Sequence, residues 1–340
     1  MGACHAKKAV KGENAMEKVT VVIPNYNGIE YLNGCLEALY AQKDAECGFV
    51  VLVVDNGSVD QSPRQAQERF PMVRWICLKE NTGFCHAVNL GIQAAQTEYV
   101  ILLNNDTKVY EGFVQNLYNA IEGDERIFSV SARMLQWNQP DLMDDGGDRY
   151  CALGWAYARG KGKPAASYDK PAEVFSACGG AAIYRKSIFE KIGYFDELHF
   201  AYLEDLDIGY RARIFGYRNL YEPSARVLHF GSGFSGSRYN AFKTQLASTN
   251  NVYVIGKNMP LLQWIWNLPF LTLGFLVKFL FFCKKRMGML YLKGVCEGLC
   301  RCFSKEGRDK KVPFHFKNLK NYLKIQGSLY LNLLRIFIKS

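Results

Sequence analysis

A chain of 340 residues that is 49% hydrophobic and 22% charged can bury a sizeable core, and this composition excludes the disordered and low-complexity classes. Its formal net charge of +10 is unevenly placed: residues 1–260 carry 27 Lys+Arg against 29 Asp+Glu, whereas residues 261–340 carry 15 against 3. An anionic partner, nucleic acid or membrane lipid, is therefore expected for the last quarter only. The 11 cysteines are odd in number and show neither a CxxC pair nor a zinc spacing. They read as free, mostly buried thiols of a reducing cytoplasm.

Residues 1–17 read as a loose extension. They contain no apolar stretch of the secretory kind, and Ala6 breaks the myristoylation pattern that Gly2 would begin. Residues 19–23 (VTVVI) form a β-prone run closed by Pro24 and the turn PNYNG. Residues 31–42 place Leu32, Leu36, Leu39 and Tyr40 at helical spacing. Strands are expected at 49–54 and 73–78, and helices at 62–70 and 86–96, with a turn at Asn81, Thr82, Gly83 and Phe84. Residues 99–103 (YVILL) then read as a strand covered on both faces. This β-α-β-α-β-α-β order predicts an α/β fold with a Rossmann-like, mostly parallel sheet flanked by helices.

Three of these strands end in polar residues: Asn25, Asp55, and the run Asn104, Asn105, Asp106. In an open α/β sheet, ligands bind beyond the carboxyl ends of the strands, so these groups should share a cleft. Asn and Asp are also ordinary turn formers. Clustered acceptors at such a rim can hold a hard cation together with substrate phosphates. The GxGxxG fingerprint is absent after the first strand, which argues against a dinucleotide site.

Further along, residues 113–122 read as a helix and 127–134 as a strand. Residues 136–172 read as an irregular loop or hairpin near the site, with Trp155, Lys161 and Lys163 either meeting a ligand or solvated. The small residues around Gly179 and Gly180 would let a ligand approach the backbone. A short helix at 187–192 ends at Gly193, and Glu204, Asp205 and Asp207 open another helix, where acids also suit the helix dipole. Asp207 reads as a structural partner of Arg211. Two strands are expected at 217–221 and 225–230, with His229 beside the loop GSGFSGS.

Residues 261–283 are nearly all apolar, interrupted by Pro269 and Lys278, and Lys284, Lys285 and Arg286 follow. Three arrangements remain open: helices lying in or re-entering a membrane surface, one span, or a packed helical domain. Basic residues interleaved with aliphatic runs suit an anionic membrane surface better than nucleic acid.

Seven motifs stand in order: VVIPNYNG, VVDNGSVD, ENTGFCHAVNLGI, VILLNNDT, CGGAAIYRKSIFEKIGYFDE, YLEDLDIGYR and VLHFGS. Over residues 18–255 the chain resembles the family-2 glycosyltransferases with the GT-A fold, in their rhamnosyltransferase-like branch. The resemblance implies a glycosyltransferase domain at 18–255 and a membrane-associating helical region at 256–340. It also implies a nucleotide-diphosphate sugar donor, dTDP- or UDP-linked, and a glycan or polyprenyl-diphosphate-linked acceptor in cell-surface polysaccharide synthesis. By the same resemblance, Pro24, Asn25 and Asp55 would meet the base and ribose, and Asn81, Gly83 and Asn89 would close over the nucleotide. Asn104, Asn105 and Asp106 occupy the DXD-like position, with Asp106 and His229 as ligands of Mg²⁺ or Mn²⁺. Asp205 would be the catalytic base with Glu204 beside it, and Gly179, Gly180 and Glu204 would face the acceptor. The first two DXD-like positions are Asn, so the charge rests on Asp106. The QxxRW pattern of processive synthases is absent, which implies addition of one sugar at a time. A membrane scaffold that binds nucleotide without catalysis is the alternative; the joint presence of Asp55, Asp106 and Asp205 favours the enzyme.

Overall fold

The computed structural model describes residues 17–42, 45–231 and 240–338. The extension before Glu17 and the glycine-serine loop beyond Gly231 lie outside the described residues. The chain starts with strand β1 (Val19–Asn25), helix α1 (Leu32–Tyr40), β2 (Phe49–Asp55), α2 (Ser62–Arg69), β3 (Arg74–Cys77), α3 (Phe84–Ala94) and β4 (Tyr99–Leu103). β1 pairs in parallel with both β2 and β4, and β2 with β3. Alternation along the strands fills two layers. Val19, Val21 and Ile23 of β1 pack with Leu32, Leu36 and Leu39 of α1, while Val22 packs on the other face with Val88 and Ile92 of α3. Two covered faces explain why β4 is apolar throughout.

The sheet then becomes mixed. β5 (Thr107–Val109), α4 (Phe113–Glu122) and β6 (Ile127–Gln136) are followed by β7 (Gln139–Asp145), β8 (Asp148–Cys151), β9 (Trp155–Ala158), β10 (Ala172–Val174) and β11 (Ala181–Arg185). After α5 (Lys186–Ile192) and α6 (Glu204–Ile214), the long β12 (Arg218–His229) completes a ten-stranded sheet. Its main path runs β10-β12-β6-β11-β4-β1-β2-β3, with β5 on β12 and β7 on β6. β11 lies antiparallel between β4 and β6.

The structure corrects three expectations. Residues 136–172, expected as an irregular loop or hairpin, do contain a hairpin, β8–β9, but the rest is regular: β7, a 3₁₀ turn at Ala165–Tyr168 and β10. Strands this short are separated by left-handed glycines at 147, 154, 160 and 162, so no period of two builds up in the sequence. The two strands expected at 217–230 are one, and its register shifts between Glu222 and Arg226, at Pro223. Among the ten described cysteines, Cys35, Cys47, Cys85 and Cys151 are buried, while Cys77, Cys283, Cys296 and Cys300 are exposed. The exposed group lies mainly on the C-terminal helices, whose outer faces are not covered.

Those helices are α7 (Ala241–Asn258), which runs through the expected boundary at 255, α8 (Leu261–Lys284), α9 (Gly288–Phe303), α10 (Lys305–Asp309) and α11 (Leu319–Ile338). They share a core with the α/β part, in which Tyr150, Phe175, Leu206, Tyr210 and Ile214 meet Val254, Ile255, Leu271, Tyr322, Ile325 and Leu329. Their outer side carries exposed Leu262, Ile265, Trp266, Leu273, Leu276 and Leu280 on α8 and Leu331, Leu334 and Phe337 on α11. By length and composition, α8 can cross a membrane; 17% of its most apolar window is buried.

Candidate active site

The carboxyl ends of β1, β2 and β4 bring Asn25, Asp55 and the 104–106 run together. Asp55 Oδ1 accepts hydrogen bonds from Asn25 Nδ2 at 2.8 Å and Ser58 Oγ at 2.6 Å, and its Oδ2 accepts from the Ser58 amide at 3.1 Å. Asn105 Nδ2 in turn donates to Asn25 Oδ1 at 2.7 Å. Gly28 is required here, because a Cβ would stand 2.2 Å from Asn25 Oδ1 and 2.3 Å from Asn105 Nδ2. Asp60 shapes the same turn by accepting from the amides of Ile29 and Ser62, both at 3.0 Å. Pro24 lies on β1 opposite Val54.

The second arm starts at Asp106. His229, at the end of β12, approaches Asp106 Oδ1 with Nε2 at 3.4 Å and donates from Nδ1 to Asp144 Oδ2 at 2.7 Å. Lys161 holds the other Asp144 oxygen at 2.8 Å. Burial opposes charge on His229, but its bonds to Asp106 and Asp144 outweigh it and raise the imidazole to about 9. Burial also opposes charge on Asp144; His229 and Lys161 outweigh it and bring that carboxyl to about 2. A carboxylate on the second ring nitrogen, as Asp144 is on Nδ1, is the usual arrangement behind a metal-bound histidine. An oxygen from Asp106 and a nitrogen from His229 make a donor set that Mn²⁺ accepts and Mg²⁺ tolerates less well.

The third arm is reached through β11. The Asn104 amide donates to the Gly180 carbonyl at 2.9 Å, and the Gly179 amide to Asp205 Oδ2 at 2.9 Å. A Cβ on Gly179 would lie 2.6 Å from Asp205 Oδ1, so only glycine lets the backbone meet this carboxylate. Among the described residues, Asp205 Oδ1 and the buried Glu204 Oε2 have no hydrogen-bond partner. Burial raises the Asp205 carboxyl well above its usual range, and neighbouring Glu204 adds to the effect. Burial lifts Glu204 to about 7. Asp145 and Asp148 extend this group: burial moves Asp145 to about 6, and burial with Asp145 and Asp205 moves Asp148 well up.

Not every expected residue joins. Asn81 and Gly83 are knitted by Asn56, whose Nδ2 donates to Asn81 Oδ1 and to the Gly83 carbonyl, each at 3.1 Å. Asn89 is buried elsewhere, donating to the Phe195 carbonyl at 2.8 Å and to Glu197 Oε1 at 3.0 Å. Trp155 donates to the Gly274 carbonyl of α8 at 3.1 Å. A cavity of about 430 Å³ lined by Tyr31, Cys35, Trp137 and Phe230 contains none of the expected site residues.

A second acid–histidine group lies away from the rim. Ligand atoms of Asp196, His199 and Asp207 fall within 4.8 Å of one another. The Lys257 ammonium sits 2.6 Å from Asp196 and 2.8 Å from Asp207, so a built-in cation fills that place. Arg211 also pairs with Asp207, at 2.8 Å. The sequence reading missed Asn56, Asp144, Asp145, Asp148 and Lys257. The signal for three of them is the run Asp144, Asp145, Gly146, Gly147, Asp148 itself; Lys257 carries no local signal.

The mixed sheet with its polar rim is the GT-A fold. The chain belongs to Glycosyl transferase family 2, whose model matches residues 20–193, and it is accordingly a glycosyltransferase. It is 31% identical over 214 residues to the N-acetylglucosaminyl-diphospho-decaprenol L-rhamnosyltransferase of Mycobacterium tuberculosis, covering 55% of this chain and 68% of that protein. A shorter match, 31% identical over 110 residues, is to glycosyltransferase GlyG of Streptococcus pneumoniae, covering 31% of this chain and 36% of that protein. In fold it is similar to the crystal structure of GalNAc-T7 with UDP, GalNAc and Mn²⁺, with TM-score 0.58 and 18% identity over 72% of this chain and 48% of the other. It is also similar to the mannosyltransferase PcManGT from Pyrobaculum calidifontis with GDP-Man and Mn²⁺, with TM-score 0.50 and 16% identity over 95% and 88%. At these identities the structural likeness shows the fold alone.

Proposed function

We propose that this enzyme is an inverting, metal-dependent, non-processive glycosyltransferase. It moves a sugar, rhamnose in our reading, from a dTDP- or UDP-linked donor to a glycan or polyprenyl-diphosphate-linked acceptor in cell-surface polysaccharide synthesis. One observation carries the reading. A continuous set of contacts runs from Asp55 through Asn25 to Asn105, and from neighbouring Asn104 through Gly180 and Gly179 to Asp205. This length of rim supports a base-binding end, a diphosphate floor and a catalytic carboxylate in line. The rhamnosyltransferase relative, whose name specifies a lipid-linked diphosphate acceptor, supports the same class of substrates here.

Asp55 and Asn25 would form the base and ribose end of the site, held in place by their bonds to each other, Ser58 and Asn105. Asp106 and His229 would hold the divalent ion, which when bound neutralises the diphosphate leaving group. Asp205 has a buried oxygen with no partner among the described residues and takes the proton of the acceptor hydroxyl. The acceptor oxygen, as it loses that proton to Asp205, forms the new bond to the anomeric carbon from the face opposite the breaking carbon–phosphate-oxygen bond, so the centre inverts and nucleoside diphosphate departs. Burial weakens Glu204 and Asp205 as acids, so each carboxylate, once ionised, is a stronger base than a solvated one. The exposed apolar side of α8 and α11, with the +12 charge of residues 261–340, supports docking on the anionic inner face of a membrane.

The test is hydrolysis of dTDP-rhamnose, UDP-glucose and UDP-N-acetylglucosamine with Mg²⁺ or Mn²⁺, followed by transfer of the best donor's sugar to N-acetylglucosaminyl diphosphate on a short polyprenyl chain. Asp205→Asn is expected to lower transfer about 10³-fold or more while UDP and dTDP binding stays within about twofold. Full transfer by that variant would remove Asp205 from its role.

A further inference from the structure

The helix that carries Asp205 starts in an unusual way. Its N-cap position is Leu203, with φ of 66° and no side-chain cap bond, where Ser, Thr, Asp or Asn is the favoured choice. The chain arrives there through a γ-turn centred on Phe200, with φ 60° and ψ −60°, closed by the Ala201 amide on the His199 carbonyl at 2.7 Å. Tyr202 follows at φ 69°. Three of the five non-glycine residues with positive φ among the described residues therefore fall within 200–203. Strain of this kind persists only where the surroundings over-determine it, and it gathers at functional sites.

One side chain supplies most of that constraint. Asn250, fully buried in α7, directs its amide nitrogen at the carbonyls of His199, Ala201 and Tyr202, each at 2.9 Å. Arg301 of α9 fixes the amide's orientation by donating to Asn250 Oδ1 at 2.8 Å, and it also donates to the Leu198 carbonyl at 2.6 Å. On its other side the turn meets the donor half: the Cys85 amide donates to the Phe200 carbonyl at 3.3 Å. The Phe200 ring lies where a Cβ on Gly83 would be, 2.6 Å from Cδ2.

We propose that Asn250, oriented by Arg301, is a positioning residue for the acidic pair Glu204 and Asp205. The pair's direction is set by the C-terminal helices through the strained turn, and not by a cap on α6 itself. The proposal rests on the reading of Asp205 as the base. It makes α7 and α9 part of the catalytic centre, although both lie beyond the residues that the family model matches.

The test compares Asn250→Ala, Arg301→Ala and Arg301→Lys with the wild-type chain, with Asp205→Asn run alongside. Binding is measured with UDP and dTDP in MnCl₂ by calorimetry, and transfer with the donor and acceptor chosen above. Asn250→Ala should lower kcat about 100-fold with donor KM and nucleotide affinity within about twofold, since misplacing a reacting group by about 1 Å has that effect. Arg301→Ala should lose less, and Arg301→Lys should recover part of that loss. In hydrogen exchange, the amides of 198–206 should open at least about tenfold faster in Asn250→Ala with those of 52–58 unchanged. If Asn250→Ala does not fold, Arg301→Ala decides by the same split. Transfer within twofold of wild type in the folded variants, while Asp205→Asn is inactive, overturns the positioning role alone. An equal fall in nucleotide affinity and kcat also overturns it, because the contact would then be general support. Full transfer by Asp205→Asn would instead overturn the base.

Discussion

Two groups in this enzyme contain the same residue types, two aspartates and a histidine, and the fold gives them opposite chemistry. At the rim, His229 stands between Asp106 and Asp144 and is driven to about 9. Beneath α6, neither ring nitrogen of His199 has a hydrogen-bond partner among the described residues, and burial pushes it down to about 4. There the charge of Asp196 and Asp207 is met by Lys257 and Arg211. Ligand types and proximity therefore do not define a metal centre. What separates the two groups is burial: the side chains of His229, Asp106 and Asp144 keep 13–15% exposure, with Lys161 on Asp144, whereas Asp196, Asp207 and Lys257 are at most 3% exposed and form a closed ion pair that ties α6 to α7.

The largest effect should come from opening the inner group. Lys257→Met leaves Asp196 and Asp207 short of a cation in a dry site, and should cost about 3–5 kcal/mol of stability by denaturant unfolding. A loss under about 1 kcal/mol would mean that water already reaches the group. At the rim, Asp106→Ala should weaken Mn²⁺-dependent UDP or dTDP binding by about 100-fold while folding stays intact. Unchanged affinity by calorimetry would move the metal elsewhere, with the inner group as the next place to look.

A third test uses pH on the neighbouring acids. Glu204 sits at about 7 in the fold against an ordinary 4.5. Across that window the folded chain binds more protons than the unfolded one, so this group's contribution to stability is present below the window and is lost as pH rises through it. Glu204→Gln should thus be more stable than wild type at pH 8 by roughly 1–3 kcal/mol and equal to it near pH 4. A gain independent of pH would contradict the burial account. The smallest effect is expected for Asp144→Asn, about tenfold in Mn²⁺ affinity, because Asp144 acts only through the His229 ring. No change there would show that the ring is oriented by other contacts.

Much of the fold was legible because its signals are local. Short continuous apolar runs ending in Asn25, Asp55 and Asp106 already place a polar rim on a parallel sheet, since a strand's composition and its terminus are written within a few residues. The acids Glu204 and Asp205 at a helix start were legible for the same reason. The Asp144–Asp145–Asp148 group was obscured because its strands are too short to show a period.

What the tertiary structure alone decided are the partnerships across distance. Asn250 and Arg301 are 51 positions apart, and Lys257 and Asp207 are 50. Nothing in the pattern around Lys257 distinguishes a solvated lysine from a buried counter-ion. The sequence by itself determined which strands form and where their polar ends gather, because backbone geometry and side-chain period act over a few residues. Packing of distant helices against α6 decided which acid–histidine group is sealed, which stays partly exposed and what holds the turn before Glu204 and Asp205, because burial and charge pairing depend on neighbours that only folding supplies.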